Sequence, residues 1–384
     1  MKAVVGFDAR MLRPNASGVG TYILGILEGF RRIEFPSNLE IAVFGPESCR
    51  ATLPQLEMLR FIPCEIPPLS IQEQIQLPGF LKRHDIHFLH CPHFNVPLFY
   101  RGRLIVTIHD LIPLRIPQAS SIVHRMAFRT LCLKGCAKAD AVIASSRYTQ
   151  SDLEALGVPG EKIHVIPLGV RTLPEVTYQT QLAVLSKYGI TSPFLLYVGN
   201  LKPHKNSAFL LSLQQALRDD IPGIQLVLVG RLDRRYKELT IALKGSEARG
   251  VHLLGYLPSD ELAALVRSAS VFLFPSLYEG FGVPPLEAML CGTPVVASNC
   301  TSIPEVLGDA AILLDPTSTP DWKAAVHQLI SNPQYRQEMI EKGQRRAKIF
   351  SWAATAEKIA RIYEKSIFNE YTAASNNQAR RDIK

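Results

Sequence analysis

At 384 residues the chain exceeds what one core usually fills, and its 47% hydrophobic residues give ample apolar material for two domains. The formal charge of +8 is spread evenly: residues 1–170 hold 18 Lys+Arg against 14 Asp+Glu and the remainder 24 against 20, so each part carries +4. That distribution argues against a nucleic-acid stripe and for small anionic ligands.

The N-terminus, MKAVVGFDAR, lacks the apolar core of a signal peptide and reads as a first strand, Val4 to Phe7. The loop ARMLRPNASGVGTY follows, and then Tyr22, Ile23, Ile26, Leu27 and Phe30 repeat at helical spacing. Gly18 and Gly20 are placed as in a dinucleotide fingerprint, but its third glycine is missing, so the NAD signature fails. A loop whose amides approach a phosphate and an ordinary flexible turn fit this spacing equally. Further strands are expected at Ile41 to Phe44, His87 to His90, Leu104 to Ile108, Ala141 to Ala144 and His164 to Ile166, with amphipathic segments between them. The pattern is α/β with a parallel sheet, whose ligands bind outside the carboxyl ends of the strands. His109 and Asp110 stand at such an end, where a histidine is as often structural as functional. His90, Cys91 and His93 lack a second group with ligand spacing, which makes zinc a poor reading. No D-x-D occurs, so no metal is expected.

From Ser120 to Lys138, Arg125, Arg129, Lys134 and Lys138 lie among Ile122, Val123, Met126, Phe128, Leu131 and Leu133. A basic amphipathic helix of this kind suits docking on an anionic membrane. A core-facing helix with a solvated basic face accounts for the same residues and is preferred. No apolar run approaches the roughly 18 to 20 residues that span a bilayer. The seven cysteines, an odd number without C-x-x-C spacing, read as reduced thiols of a cytosolic protein.

Residues Pro167 to Tyr188 mix Pro, Gly, Thr and Gln without an apolar period, which places a domain boundary near residue 170. Beyond it come the strand Phe194 to Val198 and the loop GNLKPHKN, with Asn200 and Lys205; then Gln225 to Val229, and Val251 to Leu254 leading into GYLPSDEL. In the last of these Ser259 is expected to cap a helix. Strands Pro294 to Ala297 and Ile312 to Leu314 complete a second parallel sheet. Between them lies the most informative stretch, ASVFLFPSLYEGFGVPPLEAMLCGTP: a strand from Val271 to Phe274, a turn whose Gly280 and Gly282 can take φ > 0, and a helix begun by Pro284 and Pro285. The N–H groups and dipole of that helix start suit an anion. Glu279 and Glu287 flank the turn, and carboxylates beside an anion are repelled unless they reach past it to neutral hydroxyls such as those of a sugar. The last periodic segment, KIFSWAATAEKIARIYEKS, reads as a helix to about Phe368, followed by a polar tail over 369–384 expected to fray.

The stretch from Glu279 to Glu287 resembles the E-x7-E motif of the retaining GT-B glycosyltransferases of family 4. The resemblance implies two Rossmann-like parallel-sheet domains facing a cleft: an acceptor-side domain over 1–170, completed by a helix over about 352–368 that crosses back to it, and a donor domain over 171–351. It implies that Glu279 meets hydroxyls of the transferred sugar and Glu287 the ribose, while Gly280, Phe281, Gly282 and Val283 face sugar and diphosphate. TIHDLIPL resembles the family's H-D pair, which makes His109 the contact to the transferred sugar with Asp110 orienting it. Gly18, Val19 and Gly20 then approach the diphosphate, Lys205 pairs with it, and the backbone near Tyr256 and Leu257 meets the base. Asn200 stands where many members carry Arg.

The implied reaction is retaining, metal-independent and cofactor-free transfer of a hexose from a nucleoside diphosphate sugar to a hydroxyl of a glycan or lipid-linked glycan, in bacterial surface-polysaccharide synthesis. UDP-glucose ranks ahead of GDP-mannose by the frequency of UDP donors in the family and by no residue. The implied placement is cytoplasmic, with peripheral contact to the inner face of the membrane as an extension. A glycoside hydrolase would also use two carboxylates but needs no phosphate loops, and release of nucleoside diphosphate separates the two. An epimerase would convert the donor with no acceptor present. Full turnover retained in a Glu279→Ala variant would favour a non-enzymatic sugar-binding module or a misplaced site.

Overall fold

The structure, a computed structural model, describes residues 3–12, 18–233, 236–243 and 250–381. The chain divides into two compact units, one of Met1–Leu111, Val123–Gly169 and Ser351–Lys384, the other of Ile112–Ile122 and Val170–Phe350. No break in composition signals that residues 112–122 group with the second unit.

The first unit is built on β1 (Ala3–Asp8), β2 (Leu39–Gly45), β3 (Leu59–Pro63), β4 (Phe88–Cys91), β5 (Arg103–Ile108), β6 (Ala141–Ala144) and β7 (Ile163–Val165). All pair in parallel, in the order β3-β2-β1-β4-β5-β6-β7. Runs such as IAVF in β2 and LIVTI in β5 are buried along their length, as strands covered by helices on both faces must be. Expectation missed β3, whose LRFIP is short, half-exposed and closed by Pro63 at the sheet edge, where a proline is tolerated. The core joins β1 and β2 to Tyr22, Ile23, Ile26, Leu27 and Phe30 and to Trp352, Ala356, Ile359 and Tyr363. The helices Val19–Phe30 and Trp352–Arg381 meet through glycine: a Cβ on Gly25 would fall inside the Trp352 ring, and one on Gly29 would overlap the Trp352 carbonyl. The last helix runs on past Phe368 to Arg381; the expected tail contains no Gly or Pro to stop it, and three Ala and two Arg favour it. Residues 382–384 of that tail lie outside the described residues.

The second unit carries β8 (Phe194–Val198), β9 (Gln225–Val229), β10 (Val251–Leu253), β11 (Val271–Phe274), β12 (Val295–Ser298) and β13 (Ile312–Leu314). They too are parallel, in the order β10-β9-β8-β11-β12-β13. Two local expectations are corrected. The stretch without an apolar period beyond the expected boundary contains a helix, Tyr178–Lys187, capped by Thr177, whose hydroxyl accepts from the Thr180 amide at 3.1 Å. Ser259 does not cap the helix Ser259–Ser268; it is the first helical residue, after Pro258, with Asp260 and Glu261 in the first turn. Two Rossmann-like sheets in one chain are the GT-B architecture. No described helix is long and apolar enough to cross a membrane, and all seven cysteines are free.

Candidate functional site

In the second sheet the chain proceeds from β8 through β9 to β10, then returns to β11 on the other side of β8. That reversal is where ligands bind in open parallel sheets, outside the carboxyl ends of the strands. The loops leaving β8 and β11 there carry Lys205 and Glu279.

Backbone hydrogen bonds hold the β8 loop to the end of β9. Gly199 N–H donates to Val229 O at 2.9 Å and Leu201 N–H to Arg231 O at 2.8 Å. Gly230, at φ 145°, lets the two chains touch, since a Cβ there would overlap the Gly199 carbonyl. Asn200 lies exposed in this loop. A single 3₁₀ turn, Pro203–Lys205, is stopped by Asn206 in the left-handed region, whose Nδ2 donates to Pro316 O at 2.9 Å. Lys205 is thereby turned onto the β11 loop: its Nζ lies 2.5 Å from Glu279 Oε1 and 5.7 Å from the centre of the Phe274 ring. Both side chains are largely buried, at 19% and 8% exposure. Arg231, exposed at the end of β9, forms no ion pair among the described residues.

The Glu279 loop is fixed from behind by the segment after β12. Glu279 N–H donates to Thr301 Oγ1 at 3.1 Å, and Ser302 Oγ lies 3.0 Å from Glu279 O and 3.2 Å from Phe281 O, donating to this pair of carbonyls. The Phe281 ring is buried edge-on to Phe350. Of the two glycines in the turn, it is Gly282 that adopts the left-handed backbone, at φ 96°. It precedes the helix Val283–Leu290, with Pro284 and Pro285 in its first turn. Glu287, on that helix, accepts from Arg171 Nε at 2.7 Å. Burial pushes the Glu287 carboxyl up from the usual range, and the Arg171 charge and hydrogen bond pull it back. Tyr256 is exposed and Leu257 buried where the chain leaves β10, two strands from β8.

In the first unit, His109 follows β5. Its Nε2 lies 3.0 Å from Pro92 O, and since a carbonyl only accepts, that nitrogen carries the proton and Nδ1 the lone pair. Burial pushes its pKa down to about 4, so the ring is neutral. The Tyr22 ring stands edge-on at 4.6 Å. The Pro92 carbonyl and the Tyr22 ring hold the imidazole, and half-buried Asp110 follows it in the chain. Tyr22 belongs to the helix that Gly18 precedes at φ 61°, followed by half-buried Val19 and buried Gly20, so the glycine turn and His109 are joined through one side chain. Residues 13–17 of the expected loop lie outside the described residues. His90 is committed at both ring nitrogens, to Tyr363 at 2.6 Å and Thr107 at 2.8 Å, which leaves it no lone pair for a metal. Among the described residues no group of three or more His, Cys, Asp or Glu is placed to hold one.

Two family profiles match the chain: Glycosyltransferase Family 4 over residues 16–172 and Glycosyl transferases group 1 over residues 186–346. The alpha-maltose-1-phosphate synthase of Mycolicibacterium smegmatis is 32% identical over 301 residues, 70% of this chain and 74% of that enzyme. The chain belongs to glycosyltransferase family 4. The O-antigen chain mannosyltransferase B of Escherichia coli is 28% identical over 370 residues, 90% of this chain and 95% of that one. The fold is that of sucrose-phosphate synthase from Thermosynechococcus elongatus, with a TM-score of 0.76 at 19% identity over 96% of this chain and 100% of that chain.

Within this family 4 glycosyltransferase, sequence reasoning passed over three residues that touch the motif. Thr301 and Ser302 carry a faint signal, a Ser/Thr pair just after a strand and just before the helix Ile303–Leu307. Arg171, in IPLGVR, carries none, because its meaning depends on a partner 116 positions away.

Proposed function

We propose that this glycosyltransferase moves a mannosyl residue from GDP-mannose to a hydroxyl of a growing surface glycan, with retention and without a metal. The observation that carries the reading is the Lys205–Glu279 pair at the β8/β11 reversal. A diphosphate arriving there competes for the ammonium, and the Glu279 carboxylate then becomes free to accept hydrogen bonds from sugar hydroxyls. As the bond to the leaving group breaks, the sugar becomes oxocarbenium-like and negative charge grows on the diphosphate. Lys205 lies where it stabilises that charge, in a part-buried setting that strengthens the interaction. The neutral His109 ring, its Nε2 proton given to Pro92, offers Nδ1 as an acceptor for a sugar hydroxyl. Glu287 serves the ribose. Attack on the face of departure, with a phosphate oxygen taking the acceptor proton, follows the family pattern.

The donor reading moves from UDP-glucose, which no residue favoured, to GDP-mannose, because the Escherichia coli relative aligned over 95% of its length is named for mannose transfer to an O-antigen chain. Thermal unfolding tests both. GDP-mannose at about 100 times its Kd, with chelator present, should stabilise the protein by about 2.7 kcal/mol. Lys205→Ala should abolish that shift. Stabilisation by UDP-glucose alone would sink the donor assignment, and a shift that needs a divalent ion would sink metal independence.

A lipid-linked acceptor and peripheral membrane contact belong to the same proposal. The helix Ile122–Lys138 buries Phe128, Cys132 and Cys136 in the core, but its first turns expose Ile122, Val123 and Met126 beside Arg129. Sedimentation with anionic vesicles is the check; protein left wholly in the supernatant ends this part.

A further inference from the structure

Arg171 is the second residue of the long segment Val170–Phe350 of the second unit, and its backbone is held on both sides: Val170 N–H donates to Phe350 O at 3.1 Å, and Leu173 is buried. The side chain itself is 47% exposed and donates its Nε to Glu287 Oε1, while Glu287 is only 12% exposed. On the helix Val283–Leu290 the residues Pro285, Leu286, Ala288 and Met289 face inward, and Glu287 points to the Arg171 segment. A half-exposed arginine contributes little to stability through one such pair. Its effect on the carboxylate is larger, because a carboxyl in this setting is otherwise driven toward its neutral form.

We propose that Arg171 is a positioning residue for donor binding: it keeps Glu287 ionised, with one oxygen engaged and the other left to accept from the vicinal hydroxyls of the nucleotide ribose. The inference rests on the reading that Glu287 serves the ribose. A diol donates two hydrogen bonds, which a carboxylate accepts and a carboxylic acid, with one oxygen protonated, accepts poorly. The other titratable groups near Glu287 do not replace Arg171. Cys291, one turn on, has its thiol pushed up by burial, and Arg267 acts on Cys291 while its Nη2 reaches Pro174 O at 3.5 Å. Removing Arg171 therefore lets the Glu287 pKa rise, and nucleotide binding is lost as pH falls through that higher value.

The test is calorimetric titration of GDP and of UDP into wild type, Arg171→Ala, Arg171→Lys and Glu287→Gln, from about pH 5.5 to about pH 8.5, a range that brackets a raised carboxyl. For the better-bound nucleotide, Arg171→Ala should bind about tenfold more weakly than wild type at the acid end, the effect of about one unit of pKa, and recover to within about twofold at the alkaline end. Arg171→Lys, which keeps the charge, should retain the wild-type profile, and Glu287→Gln should bind weakly at every pH. A loss in Arg171→Ala that is equal at every pH, or no loss, overturns the inference. If Glu287→Gln binds as tightly as wild type, the ribose reading of Glu287 has failed; if it binds weakly while Arg171→Ala does not, only the role of Arg171 has failed.

Discussion

Lys205 and Glu279 illustrate why the same residue type means different things at different burial. Lysine in a loop is usually only solvated, but here a left-handed Asn206 and the Phe274 ring turn Lys205 onto a carboxylate that is 8% exposed. Lys205→Ala leaves that charge buried without a partner and should cost about 3 kcal/mol in urea unfolding, along with transfer activity. Replacing both partners, Lys205→Met with Glu279→Leu, should recover most of the stability and none of the activity; recovered turnover would mean the pair is structural. Glu279 and Glu287 stood out in the sequence because a glycine turn and two prolines frame them locally, and Lys205 only through the resemblance of its loop to that of the family. Arg171, Thr301 and the Pro92 acceptor of His109 were not legible, since each acts on a partner that only folding brings near.

At the scale of elements, glycine does opposite things in the two units. Gly230 permits loops at strand ends to touch, whereas Gly25 sits in mid-helix and Gly29 in the last turn, where glycine costs up to about 1 kcal/mol relative to alanine. Those two positions tolerate the cost because the Trp352 ring and backbone occupy the space a Cβ would need. Gly25→Ala should therefore destabilise by about 2 kcal/mol despite its better helix propensity, overpacking outweighing the gain; a rise in Tm would show that the helices can separate cheaply. The strands were read from apolar runs, which a parallel sheet covered on both faces makes continuous. What escaped were the elements without that signature: the edge strand β3, half-exposed and closed by proline, and the helix Tyr178–Lys187, whose single buried residue is Val184.

Over the whole molecule, histidines held neutral by burial dominate the response to acid. An unfolded histidine titrates near about 6.5. In the fold, burial pushes His93 and His109 to about 4 and His90 and His204 to about 3. Below about pH 6.5 the unfolded chain thus binds more protons, and stability is lost as pH falls. Glu73 and Glu287, whose carboxyls burial pushes up, act in the opposite sense and offset part of the loss. The unfolding free energy should drop by at least about 2 kcal/mol between about pH 7 and about pH 5; a flat profile would contradict neutral burial. Truncation before Ser351 should leave the first unit unfolded by circular dichroism, since Trp352, Ala356, Ile359 and Tyr363 complete its core. The linear chain by itself determined the two parallel-sheet units and the acid, glycine and proline framework of the motif, because periodicity and turn chemistry act over a few neighbouring residues, and the resemblance of that motif gave the family. The tertiary structure alone decided which cation meets which carboxylate, which tautomer His109 holds and where glycine is obligatory, because burial and pairing are set by residues distant in the chain.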